Sequence, residues 1–167
     1  LSSEKNLVNF IKAAHLVGMG VDLVGEGPQR KELLQLTLDI GADVNFLGAV
    51  PNNQLPEIMA RYAIFVLPSL FEGMPKTLIE AMACKLICIG TDVEGINEII
   101  KDGVNGILAM GTDVEALRRA IIQARSITNS AIPDSARQTV IDCYTLAACA
   151  ELERSIFYRL KKIGVSQ

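Results

Sequence analysis

Between residues 5 and 124 the sequence repeatedly changes period, from the 3.6-residue repeat of an amphipathic helix to short unbroken apolar runs and back. Helical spacing over 5–17 gives way to "VDLVG" (21–25), and a helix over 28–40 with Leu33, Leu36 and Ile40 on one face precedes "VNFLG" (44–48). A helical stretch over 54–62 then leads into "AIFVLP" (63–68). A helix starting near Pro75 follows, then "LICIG" (86–90), a short helix over 96–103, "GILA" (106–109), and a helix from Asp113 to Ala124 with Thr112 as N-cap. Runs such as "AIFVLP" are apolar on both faces, which suits strands covered from both sides. Strands alternating with helices imply right-handed βαβ units. The predicted fold class is therefore α/β, a doubly wound parallel sheet with extra C-terminal helices over 133–164, the last presenting Leu152, Ile156, Leu160 and Ile163 as one stripe.

A chain of 167 residues, 50% hydrophobic, suits a single domain with its own core. A net charge of −3, with no basic cluster longer than Lys161-Lys162, gives no electrostatic footprint for nucleic acid. The longest apolar runs fall far short of the ~18 residues that a membrane-spanning helix requires. Cys84, Cys88, Cys143 and Cys149 lack paired zinc-site spacing, so all four are expected to pack as small reduced hydrophobes, consistent with a cytoplasmic setting. His15, the only histidine, is assigned no role. Leu1 is not a natural start, and the expectation is a domain truncated at its N-terminus.

Doubly wound sheets bind ligands where the loops at the carboxyl ends of their strands converge, here after Gly25, Gly48, Pro68 and Gly90. The third of these opens "PSLFEGMPKTLIEAMA" (68–83), with Glu72 in the turn and Glu80 in the helix. Pro75 suits a first helical turn, which predicts that the amides of Lys76 and Thr77 are free to bind an anion, with Gly73 allowing close approach. Glu80 lies on the same helix and leans back toward its N-terminus. Ionised carboxylates only accept hydrogen bonds, and each can take two adjacent sugar hydroxyls. Hydroxyls, phosphate and hydroxyls in sequence describe a nucleotide sugar. A plainer reading stands beside this one: Glu72 complements the helix dipole and Glu80 is a solvated residue paired with Lys76. On spacing alone the plainer reading has the greater weight.

The stretch "FVLPSLFEGMPKTLIEAMACKLICIGTDVEGINEIIKDGVNGIL", together with "VDLVGEGP" and "VNFLGAV", resembles the donor-binding domain of the retaining family 4 (group 1) GT-B glycosyltransferases. Their E-x7-E signature falls on Glu72 and Glu80. The resemblance implies a Rossmann-like half of a GT-B fold that binds a nucleotide-diphosphate sugar and takes part in hexosyl transfer to a hydroxyl acceptor with retention. It implies that Glu72 contacts the donor sugar, Glu80 the ribose, and the backbone of Gly73, Met74, Pro75, Lys76 and Thr77 the phosphates. Gly25 and Gly27 would also lie at the donor, with Val50 and Asn52 bordering the base. Lys5 matches the lysine of an Arg–Lys pair that neutralises the diphosphate, and the Arg would precede Leu1. No cofactor is implied, and no D-x-D pair is present to hold a metal. The acceptor would be recognised by an N-terminal domain, on which residues 133–164 would pack and through which any peripheral membrane association would run; the isolated domain is expected to be inactive.

Three departures stand out. Lys85 occupies a position where the family usually ends the helix with Gly, so either a left-handed residue carries a Cβ there or the turn differs. Ile87 replaces a common Pro, and Glu94 a frequent Gly. "GEGP" fails the dinucleotide fingerprint because Arg30 holds its third glycine position. A sugar-nucleotide epimerase of the same architecture and a noncatalytic doubly wound binding module are the alternatives.

Overall fold

The apolar runs become the strands of two parallel ladders, in a computed structural model that describes residues 1–151, 153 and 154. β1 (Val21–Val24) pairs with β2 (Val44–Gly48), and β3 (Ile64–Leu67), β4 (Ile87–Thr91) and β5 (Ile107–Ala109) pair in that order. Between and after them run α1 (Leu7–Leu16), α2 (Arg30–Ile40), α3 (Leu55–Met59), α4 (Lys76–Ala83), α5 (Val114–Arg125) and α6 (Ala131–Cys143). The predicted stripe of Leu152, Ile156, Leu160 and Ile163 lies outside the described residues.

β4 explains why the helices lie on both faces. Every residue in it is buried, and its side chains alternate between two cores. Ile87 and Ile89 join Phe10 and Ile11 of α1 and Leu117 and Ile121 of α5. Cys88 points the other way, into a cluster with Leu78 and Met82 of α4, Ile96, Ile100 and Ala136 of α6. On α5 the buried residues Ala116, Leu117, Ala120, Ile121 and Ala124 follow helical spacing, so one stripe of that helix supplies its attachment.

Several local expectations are corrected. Residues 96–103 form successive turns and no helix. Gly95 and Gly103 both take positive φ, and the side chain of Asn105 accepts the Lys101 N–H, so the segment closes before a second helical turn forms. Asp113 and not Thr112 caps α5, its carboxylate accepting the Ala116 N–H at 2.9 Å. Cys88 is buried and Cys84 half-buried, but Cys143 and Cys149 are exposed, so the expected packing as small hydrophobes fails for these two. At the end of α4, Lys85 does take a left-handed conformation, with φ 62°. Its N–H reaches Met82 O and the Leu86 N–H reaches Ala81 O, the paired bonds of a Schellman ending, so the turn is kept despite the Cβ.

Candidate functional site

The segment Leu1–Asn6 ties the carboxyl ends of β1 and β3 together. The Gln29 N–H donates to Leu1 O at 3.1 Å in the loop after β1, and the Leu70 N–H donates to Glu4 O at 2.8 Å in the loop after β3. This places Lys5 over the β3–α4 loop, where its Nζ meets Glu72 Oε1 at 2.6 Å. The same carboxylate oxygen accepts the Ser69 hydroxyl at 2.7 Å. Ser69 is wholly buried, and the buried Thr91 hydroxyl, at the end of β4, donates to the Ser69 carbonyl. Glu72 is thus held by Lys5 and by Ser69, which Thr91 fixes in turn from the end of β4, and its side chain is 13% exposed while that of Lys5 is 40% exposed. Two residues far apart in sequence, expected to act on the same ligand, touch each other directly.

Gly95 seals the loop from beneath. Its φ is 81°, and a Cβ there would overlap the Glu72 carbonyl and press on that of Gly73. Only glycine lets the β4–β5 connection pass this close below the turn.

At the start of α4 one expectation fails and another holds. The Lys76 N–H is not free, because Pro75 has ψ 80° and turns that amide back onto Met74 O at 2.9 Å. The next amide, of Thr77, has no backbone partner among the described residues, and it opens a helix of eight residues whose dipole favours an anion there. Glu80, one turn on, makes no ion pair with Lys76 among the described residues, and its Oε2 is buried without a hydrogen-bond partner among them. That argues against the solvated-face reading of Glu80. A buried carboxylate oxygen without a donor is expensive, and such exceptions point to a missing partner.

Of the other residues singled out in the sequence, Lys5, Gly25, Val50, Asn52 and Thr77 line one cavity of about 710 Å³. Gly27 does not line it; the backbone of Leu1 lies against the glycine so closely that a Cβ would overlap it. Met74 is exposed and Pro75 buried, and neither lines the cavity. Ser69 and Thr91 were missed in the sequence. Their signal was available, since small hydroxyl residues ending buried strands next to a glutamate can hold it by hydrogen bonds.

A family profile described as "Glycosyl transferases group 1" matches residues 1–126. N-acetyl-alpha-D-glucosaminyl L-malate synthase of Bacillus anthracis is 38% identical over 116 residues, which cover 68% of this chain and 30% of that protein. A UDP-Gal:alpha-D-GlcNAc-diphosphoundecaprenol alpha-1,3-galactosyltransferase of Escherichia coli is 31% identical over 104 residues, 60% of this chain and 26% of that one. The chain therefore spans about a third or less of the length of these relatives. Among solved structures, Anabaena HepE in complex with UDP and glucose superposes with a TM-score of 0.82 at 22% identity, covering 95% of this chain and 46% of HepE. The C-terminal domain of a group 1 family glycosyl transferase (LpcC) from Francisella tularensis superposes at 0.77 with 25% identity, covering 87% of this chain and 83% of that domain. The chain belongs to the group 1 glycosyl transferases, as an α/β domain of GT-B type that matches the C-terminal domains of larger enzymes.

Proposed function

We propose that this domain holds a nucleotide-diphosphate sugar and that, within a longer two-domain enzyme, the bound hexose passes to a hydroxyl acceptor with retention of configuration. The observation that carries the reading is Glu80 Oε2, a buried acceptor without a donor among the described residues, one helical turn from the unpartnered amide of Thr77. A ribose diol would supply the missing donors to Glu80, and a diphosphate would take the Thr77 amide and the positive end of α4. That the Anabaena structure holds UDP and glucose supports the choice of ligand class.

In this reading the work is placement and charge stabilisation. Glu72, fixed by Ser69 and Lys5, offers its second oxygen to hydroxyls of the donor sugar. The more exposed Lys5 swings its ammonium from Glu72 toward the leaving diphosphate, where negative charge grows as the sugar–oxygen bond breaks. Gly25, Val50 and Asn52, at the ends of β1 and β2, border the rest of the nucleotide. Acceptor binding and the second half of the cleft belong to an N-terminal domain, so the 167 residues alone bind donor without transferring sugar.

Calorimetry with uridine, guanosine and adenosine diphosphates tests this. One nucleotide should bind the chain and bind Glu80→Ala at least about tenfold more weakly, the worth of one charge-assisted hydrogen bond. Absence of heat with all three would favour a noncatalytic module, and sugar transfer by the isolated chain would contradict the assignment of the acceptor site elsewhere.

A further inference from the structure

The backbone that carries Lys5 is anchored on both sides. Ser3–Lys5 form a single 3-10 turn, closed by the Asn6 N–H on Ser3 O at 3.0 Å. On one side the turn is tied to the loop after β3, where the Leu70 N–H donates to Glu4 O at 2.8 Å. On the other it is tied to the loop after β5 by the side chain of Asn6, whose Nδ2 donates to Thr112 O at 2.7 Å across 106 residues of sequence. Asn9 Nδ2 donates to the same carbonyl at 3.2 Å, so both of its lone pairs are taken by side chains next to or within the start of α1. Thr112 is held in its turn, because Asp113 caps α5 and the Gly111 N–H donates to Ala109 O at 2.7 Å.

Asn6 also turns the chain. It is buried, with φ 53° and ψ 32°, and is one of two non-glycine residues at positive φ among the described residues. Asn tolerates the left-handed region better than most side chains. Glycine would tolerate it equally but brings no donor. The carboxamide does not cap the helix that follows, which is the common use of Asn at such a position. It goes to Thr112 instead. Attachment of α1 does not call for this tie, since Leu7, Phe10, Ile11, Ala13 and Ala14 bury the helix in the core. The tie instead fixes the backbone from which the Lys5 side chain leaves.

We infer that Asn6 is a positioning residue for Lys5, holding the lysine's backbone rigid between two loops so that only its side chain moves when the ammonium passes from Glu72 to a diphosphate. This rests on the proposed function, in which Lys5 neutralises that diphosphate. Lys5 is the more exposed partner of its ion pair, and Ser69 keeps its bond to Glu72 when the ammonium leaves. On a loose segment, binding would have to order backbone and side chain together, and that ordering would be subtracted from the affinity. A backbone fixed in advance leaves only side-chain rotamers to be ordered.

Titration calorimetry with the tightest-binding nucleoside diphosphate and its monophosphate tests this. The two ligands share base, ribose and first phosphate, so the ratio of their affinities reads the second phosphate and the cation that meets it. Asn6→Gly keeps the left-handed turn and removes the tie. It should bind the diphosphate about threefold to tenfold more weakly and the monophosphate as before. In a Lys5→Met background the same substitution should leave the ratio unchanged, because no ammonium remains to be positioned. Should Asn6→Gly fail to fold, Asn9→Ala removes the second bond to Thr112 O and should lower the ratio about twofold. An equal fall for both nucleotides, the mark of a merely structural role, overturns the inference, and so does an unchanged ratio. If Lys5→Met alone leaves the ratio unchanged, the fault lies in the reading of Lys5 itself, and absence of binding by every diphosphate overturns both.

Discussion

Replacing Glu80 by Met is expected to make the chain more stable and a poorer binder at the same time. In the unliganded protein Glu80 Oε2 is buried and lacks a donor among the described residues. A buried unsatisfied acceptor costs about 1–3 kcal/mol, and an apolar side chain of similar length removes that cost. The position is half-buried on α4, one turn before half-buried Cys84, where a flexible thioether is tolerated and helix propensity is hardly changed. Allowing for imperfect packing, the net gain should be about 1 kcal/mol, or a rise of about 2–4 °C in Tm for a domain of this size. Binding moves the other way. Two hydroxyl donors to an ionised carboxylate are worth about 1.5 kcal/mol each at the low end, so the cognate nucleoside diphosphate should bind about a hundredfold more weakly. Scanning calorimetry and titration calorimetry on the same preparation read both effects. A destabilised variant with unchanged affinity would refute the reasoning, since Glu80 would then be a structural residue whose partner had been overlooked.

Three further outcomes follow from single residues. At Lys85, with φ 62°, a side chain in the left-handed region costs about 1 kcal/mol, so Lys85→Gly should be more stable than Lys85→Ala by about that amount in denaturant melts, although both lose the ion pair with Asp134. Gly95→Ala should lower stability by about 2–3 kcal/mol and weaken nucleotide binding with it, because the added Cβ displaces the Glu72–Gly73 backbone; a neutral effect in both assays contradicts the seal described above. With a thiol reagent at pH 8, exposed Cys143 and Cys149 should react quickly, Cys84 slowly, and Cys88 only after denaturation, since burial raises the last two thiols and shields them; four equal rates would contradict the core packing around β4.

What the sequence revealed and what it hid have physical causes. The strands were legible because their apolar runs are short and bounded by helical periods, and β4 is buried at every position as "LICIG" suggests. The pairing of Glu72 with Lys5 was hidden: the residues lie 67 apart in sequence, and only the approach of Leu1–Asn6 to the β3–α4 loop joins them. The amide of Lys76 was misread because a helix start fixes which amides lack intrahelical partners but not the ψ of the preceding proline, which here turns that N–H onto Met74 O. The helix expected over 96–103 failed because the pattern "INEIIKDG" has helical spacing for barely two turns, and Asn105 captures a backbone donor that a helix would use. The split between β1 and β3 left no trace in the pattern, since an apolar run reads the same whether its strand is paired on one edge or two.

The most direct measurement is a crystal structure of this chain soaked with its tightest-binding nucleoside diphosphate. The account predicts a phosphate oxygen within hydrogen-bond distance of the Thr77 amide and both ribose hydroxyls on the Glu80 carboxylate. A nucleotide bound elsewhere, with Glu80 Oε2 still lacking a donor, would contradict it.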